Sequence, residues 1–242
     1  MSAQAYLQRA AEAVRSLDLA GIERAAKLVA DAIQTGQSLF AFGASHSFIL
    51  TEEMVYRSGG LMLVNPIYPH GMNLSVKPLP MTSKLERVVG LGTELLANSP
   101  AKSDDVLILV STSGRNAVTI DMALLARERK IKTIAITSLA YTQDVGSRHP
   151  SGKKLAELCD VVIDNGAPYG DAMLEIPGFS HKVGPLSSVT GCAIVNALAC
   201  ETVKLLVERG VMPPVFASAN TDSGDVHNAR LLAENRDRIH YL

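Results

Sequence analysis

The chain contains no tryptophan and only three cysteines among its 242 residues. It also lacks a run of apolar residues approaching the roughly 20 that cross a bilayer. No charged start leads into an apolar segment and a cleavage site. These absences point to a cytoplasmic protein without a membrane partner. The formal net charge is only -1, which removes the general attraction to nucleic acid that a basic face supplies. Cys159, Cys192 and Cys200 form no Cys-x-x-Cys pair and read as reduced core thiols. The six histidines include no metal-like spacing such as His-x-x-x-His. Asp222-Ser223-Gly224-Asp225 is too short for a calcium loop, which needs about 12 residues. Neither a metal nor another cofactor is expected.

What is present is a chain whose 47% hydrophobic content can bury a large core. Residues 2 to 34 carry apolar positions at helical spacing, with breaks near Asp18 and Gly36, and predict one or two helices. Strands read near 38–42, 60–64, 105–110, 132–137 and 160–164. Helical segments near 46–57, 83–98, 116–130, 152–158 and 187–209 separate or follow them. This alternation predicts an α/β fold: a five-stranded parallel, flavodoxin-like sheet with helices on both faces. The expected organisation is a helical segment over 1–35, a sheet domain over 36–210 and a C-terminal tail over 211–242 that completes the site or a dimer.

Two strand-to-helix junctions carry the chemistry. The apolar run Asp105-Val106-Leu107-Ile108-Leu109-Val110 opens into Ser111-Thr112-Ser113-Gly114-Arg115-Asn116. Ser38-Leu39-Phe40-Ala41-Phe42 opens likewise into Gly43-Ala44-Ser45-His46-Ser47. Hydroxyls donate to phosphate oxygens, a glycine lets the backbone approach, and the first unpaired amides of a following helix add positive potential. Alternatively, Ser111, Ser113 and Asn116 simply cap the next helix. The first loop is not a dinucleotide fingerprint, which has three spaced glycines and an acidic residue about 20 positions on. It is not a Walker loop either, because no Gly-Lys-Ser/Thr triplet occurs in it.

The paired loops resemble the phosphate-binding loops of the sugar isomerase (SIS) domain family. That family includes phosphoheptose isomerase, the isomerase half of glucosamine-6-phosphate synthase, N-acetylmuramic acid 6-phosphate etherase and sugar-phosphate-sensing regulators. Further stretches resemble its UPF0309 branch: Arg148-His149-Pro150-Ser151-Gly152-Lys153-Lys154-Leu155, Asp160-Val161-Val162-Ile163-Asp164-Asn165, Gly170-Asp171-Ala172 and Gly184-Pro185-Leu186-Ser187-Ser188. The ending, from Ser218-Ala219-Asn220 through His227-Asn228 to Arg238-Ile239-His240-Tyr241-Leu242, is similar too. The resemblance implies a phosphosugar ligand held by Gly43, Ser45, His46, Ser47, Ser111, Thr112, Ser113 and Asn116.

Aldose–ketose interconversion needs a base that moves a proton between adjacent carbons. Glu175, in Glu175-Ile176-Pro177-Gly178-Phe179-Ser180-His181-Lys182, lies in a segment that resembles the etherase's third loop. Glu52 and Glu53 are alternatives; adjacent on a helix, they point about 100° apart, so one at most faces a site. Their spacing after Ser47 departs from the phosphoheptose isomerase pattern, whose glutamate falls where Arg57 stands here. His181, before the last long helix, and His227, in the tail, are further candidate catalytic groups, while His46 either contacts the sugar or supports its loop. Pro66, Pro69, Gly71, Pro78 and Pro80 make 66–82 an irregular connection, either a lid or a dimer contact.

Small residues along 187–208 suit close helix packing, and with the resemblance they imply a homodimer or homotetramer. The reading is a sugar-phosphate isomerase acting by proton abstraction, with a phosphosugar lyase or a non-catalytic phosphosugar sensor as alternatives. The N-terminal 35 residues are too few for a DNA-binding domain and linker, which counts against a transcriptional regulator.

Overall fold

A computed structural model describes residues 2–242. Two helices, α1 (Ser2–Arg15) and α2 (Leu19–Gln34), precede the first strand. They break at Asp18, whose carboxylate accepts from the Gly21 amide at 2.9 Å as the N-cap of α2. The sheet contains β1 (Leu39–Gly43), β2 (Val64–Pro66), β3 (Val106–Val110), β4 (Lys132–Thr137) and β5 (Val161–Asp164). All pairings are parallel, in the spatial order β2-β1-β3-β4-β5. This is the five-stranded α/β sheet that the sequence predicts.

Strand periodicity divides the core. In β3, Val106, Ile108 and Val110 face one side while Leu107 and Leu109 face the other, and Leu39 and Ala41 alternate with Phe40 and Phe42 in β1. The first side packs against α2, α3 (Phe48–Met54) and the long α8 (Ser187–Glu208). The second packs against α5 (Leu91–Ala97) and α6 (Ala117–Glu128). Both faces of the central strands are therefore buried, which explains why they read as continuous apolar runs. By length and composition alone α8 could cross a membrane. Here its Thr190, Gly191, Ile194, Val195, Leu198, Thr202 and Leu206 are buried in the core.

Several boundaries differ from expectation for local reasons. The helix predicted over 83–98 is two short ones, α4 (Pro80–Leu85) and α5, because Gly90 turns left-handed (φ 90°) and gives its amide to Asp121 at 2.8 Å. The segment near 152–158 forms only a single 3-10 turn, Leu155–Glu157. Residues 61 and 62 pair with the tail instead of the sheet: Leu61 bridges Val215, and the Met62 amide donates to the Pro214 carbonyl at 2.8 Å. Beyond α7 (Leu139–Gln143), an unpredicted antiparallel pair, β6 (Ala172–Leu174) and β7 (Val183–Pro185), precedes α8. The tail carries α9 (Gly224–Glu234) and a single 3-10 turn, Arg236–Arg238, and its end lies beside β2. Buried Asn65 fixes it there, donating to the Arg238 carbonyl at 2.9 Å and accepting from the His240 amide at 2.6 Å. Cys159 and Cys192 are half-buried, with burial pushing the Cys159 thiol up to about 12, but Cys200 is exposed on α8, so the expectation of three core thiols fails there.

Candidate functional site

The chain enters β1, moves outward to edge strand β2 and returns across the sheet to β3, so β1 and β3 lie side by side where the strand order reverses. Such a switch point leaves a crevice at the carboxyl ends of the strands. Gly43 and Val110, the last residues of β1 and β3, are register partners. Both hydroxyl-rich loops therefore leave adjacent strands at one level, about 5 Å apart. The two junctions chosen from sequence meet in space.

The first loop turns sharply. Ala44 is extended, Ser45 adopts a left-handed φ of 56°, and Ser45–Ser47 form one 3-10 turn before α3. A Cβ on Gly43 would collide with the Ser47 carbonyl, so the close turn requires glycine. The Ser45 amide donates to the Met72 carbonyl at 2.6 Å, which ties the irregular 66–82 segment to this loop. His46 is exposed at its crest.

The second loop has its carbonyls tied back and its amides open. The Thr112 carbonyl accepts from the Ser138 amide at 3.0 Å, and the Ser113 carbonyl from the Thr142 hydroxyl at 3.3 Å. Those of Gly114 and Arg115 accept from the Leu155 and Arg148 amides, both at 2.9 Å. Among the described residues, the amides of Thr112, Ser113, Arg115, Asn116 and Ala117 find no acceptor. A backbone that orients its carbonyls into the fold and its N–H groups outward is an anion cradle, reinforced by the start of α6. Gly114 makes it possible with φ 59°, its Cα facing the Thr137 and Thr142 hydroxyls. Asn116 occupies the N-cap position of α6, yet its side chain makes no capping bond.

That side chain instead joins two distant segments. Its Nδ2 donates to Glu86 Oε2 at 2.6 Å, and its Oδ1 accepts from Arg148 at 3.0 Å. Burial pushes the Glu86 carboxyl up, against the Asn116 hydrogen bond and the nearby Arg87 and Arg148 charges, which pull it down. Arg148 is itself lowered by partial burial and by the neighbouring Arg115 and Arg87 guanidinium groups. Asp121 braces the arrangement from α6. Its carboxylate holds the Gly90 and Gly92 amides at 2.8 and 3.3 Å and His149 Nε2 at 3.1 Å.

The four candidate catalytic residues stand elsewhere in a single copy of the chain. Glu53 is bound by Arg57 at 3.1 Å and by Asn196 at 2.7 Å, between α3 and α8. Glu175 lies in the β6–β7 connection, its side chain 82% exposed and 3.5 Å from Lys182. His181, on the same connection, makes an edge contact with Phe179 at 5.9 Å between ring centroids. His227 Nε2 lies 3.1 Å from the Val215 carbonyl, a contact within the tail itself. Glu86, Arg115 and Arg148 are the charged groups beside the second loop that sequence reasoning did not assign. Arg148 heads one of the stretches used for the resemblance, whereas nothing local marks Glu86. Among the described residues no cluster of metal-ligating side chains occurs.

Comparison with known proteins agrees with this architecture. A family model described as the SIS domain matches residues 4–138. A UPF0309 protein of Oceanobacillus iheyensis is 45% identical over 221 residues, covering 91% of this chain and 90% of that one. One from Streptomyces griseus is 43% identical over 229 residues, with coverage of 94% and 91%. Among solved structures, a phosphoheptose isomerase from Francisella tularensis shares the fold at a TM-score of 0.53 and 14% identity, over 83% of this chain and 94% of that one. The Vibrio vulnificus NanR protein complexed with ManNAc-6P does so at 0.53 and 16% identity, over 96% and 67%. The chain belongs to the SIS domain family, and the curated relatives that it matches carry the UPF0309 name.

Proposed function

We propose that this protein binds a phosphorylated sugar across the two loops and interconverts it by moving a proton beside its carbonyl carbon. The observation that carries the binding half is the second loop, where five neighbouring amides are open while the carbonyls of residues 112–115 are held away. The Ser111, Thr112 and Ser113 hydroxyls and the Asn116 side chain border that cradle, with Gly43, Ser45, His46 and Ser47 closing it from β1. A phosphate there places the sugar over the crevice. Solved structures that share this fold include a phosphoheptose isomerase and a NanR protein complexed with ManNAc-6P, which supports the ligand class.

Proton transfer needs a carboxylate or imidazole whose pKa approaches the working pH. Glu86 is our candidate at the cradle, where burial pushes its carboxyl up towards that range and the Asn116 hydrogen bond orients it. Glu175 and His181 serve such a role only if a second copy carries its β6–β7 connection to this site. Their connection leads directly into α8, whose exposed Val189, Cys200 and Val207 offer a face for a homodimer. Glu86→Gln is expected to retain sugar-phosphate binding and lose turnover at least a hundredfold; unchanged turnover removes Glu86, and loss in Glu175→Gln instead moves the base to the hairpin.

A second reading is a phosphosugar sensor without catalysis. It is favoured by the engagement of Glu53 with Arg57 and Asn196 and by the position of Glu175 outside the crevice. Saturable binding by the wild type with no turnover of any bound compound would select it. Ser111→Ala with Ser113→Ala is expected to weaken sugar-phosphate binding tenfold or more while leaving the fold intact. Equal affinity in that variant would remove the pocket itself.

A further inference from the structure

Arg115 and Arg148 stand beside the open amides of the second loop with Arg87 near them, and Glu86 is the carboxylate whose charge bears on Arg148. Arg148 reaches over the N-cap of α6 to Asn116 at 3.0 Å, and its backbone amide grips the Arg115 carbonyl at 2.9 Å. Arg115 buries its Nε without a hydrogen-bond partner. Arg87 follows Glu86 in sequence, and the charges of Arg87 and Arg115 both bear on Arg148. Like charges held near one another repel, and a buried guanidinium donor left unmatched is costly. The cluster is thus arranged for an anion that it does not find within the chain.

We infer that Arg115 and Arg148, supported by Arg87, form an arginine clasp that supplies the counter-charge of the ligand's phosphate group. The inference rests on the reading of 111–116 as the phosphate loop and adds to its hydroxyls and amides one charged side chain of the loop itself, Arg115, and one from outside it, Arg148. The guanidinium groups outnumber the Glu86 carboxylate, and the Asp121 carboxylate is taken up by the Gly90 and Gly92 amides and His149, so the charge left beside the loop is positive, which suits a phosphomonoester dianion. Open amides and hydroxyls fix the oxygens in position, and the planar forks of the arginines neutralise them; a charge-assisted fork contributes both energy and direction. Asn116 is the positioning residue. It bonds Glu86 and Arg148 at once, so it holds one guanidinium at the rim without quenching it in a direct ion pair. The clasp also accounts for why the 86–92 and 147–152 segments are both fastened to Asp121: each delivers one of its charged members.

The test is calorimetric titration of inorganic phosphate into the full chain at low and at moderate salt, for the wild type and for three variants whose folding is checked by thermal melting. Arg148→Ala and Arg115→Gln are expected to weaken phosphate binding tenfold or more and to flatten its salt dependence. Ser111→Ala with Ser113→Ala is expected to weaken binding while keeping the salt slope. If the serine variant loses affinity and both arginine variants bind like wild type with the same salt slope, the clasp is overturned and the loop reading stands. If the wild type binds no phosphate, the loop reading falls and the clasp with it. Should Arg115→Gln fail to fold, Arg148→Ala decides, because that side chain is partly exposed and its loss opens no core.

Discussion

Asp121 is the residue on which the second half of the site depends. Nearly buried in α6, with its side chain 4% exposed, it holds two amides and one imidazole at once. Asp121→Ala leaves those groups unpaired in the interior, and each buried unsatisfied donor costs about 1–3 kcal/mol. A loss of about 3 kcal/mol is expected in denaturant unfolding, with weakened phosphate binding because Glu86 and Arg148 lose their supports. Stability within 0.5 kcal/mol of wild type, roughly the range of neutral surface changes, would contradict this role. Glu86 gives a second residue-scale prediction. Its folded value is raised above the ordinary 4.5, so the folded state holds this proton more tightly than the unfolded chain. Glu86's contribution to stability is therefore present below its unfolded value and fades as pH rises through its folded one. Carbon-13 titration of its carboxyl should show a midpoint above 4.5, moving further up when inorganic phosphate is added, because a nearby anion disfavours a second negative charge. A midpoint at or below 4.5 would refute the assignment.

At the scale of elements, what the sequence disclosed was local and what it concealed was tertiary. Each hydroxyl-rich loop lies between an apolar strand and a helix within a few residues, and strand, loop and helix can be read together from the chain. Glu86 and Arg148 are 30 and 32 positions from Asn116, and only the packing of 86–92 and 147–152 onto α6 brings them there. The β6–β7 pair escaped because its strands have three residues each and one contains Gly184 and Pro185, residues that ordinarily mark a turn. Its anchor is Asp171, whose carboxylate accepts from the Leu186 amide at 3.1 Å and from the Ser187 amide and hydroxyl, both at 2.7 Å. That carboxylate fastens the hairpin to the start of α8, where negative charge is also favoured by the helix dipole. Asp171→Ala should cost about 1–2 kcal/mol and lower Tm by roughly 2–8 °C, since about 2–4 °C accompanies each kcal/mol at this chain length. No change in Tm would show that the hairpin and α8 are held independently.

At the scale of the whole molecule, one sheet carries both halves of the account. Side-chain alternation buries it on two faces, and its strand order opens a crevice between β1 and β3. The second N-terminal helix, α2, and the tail share that core: Ile22, Val29, Leu231 and Ile239 belong to one cluster with α8. Parts of the chain outside the two loops thus hold the crevice rigid. Leu74, Val76, Leu79, Met81, Val88 and Val89 are exposed along 74–89, and the Met72 carbonyl just before them is tied to the first loop. The most direct test of the central claim is solvent-deuterium exchange followed by proton NMR on a panel of aldose, ketose, amino-sugar and N-acetylmuramic acid phosphates. The account predicts deuterium beside the carbonyl carbon of at least one compound, lost in Glu86→Gln and diminished in the serine variant. Saturable binding of a panel member with no label in any of them would contradict proton abstraction and leave a sensor.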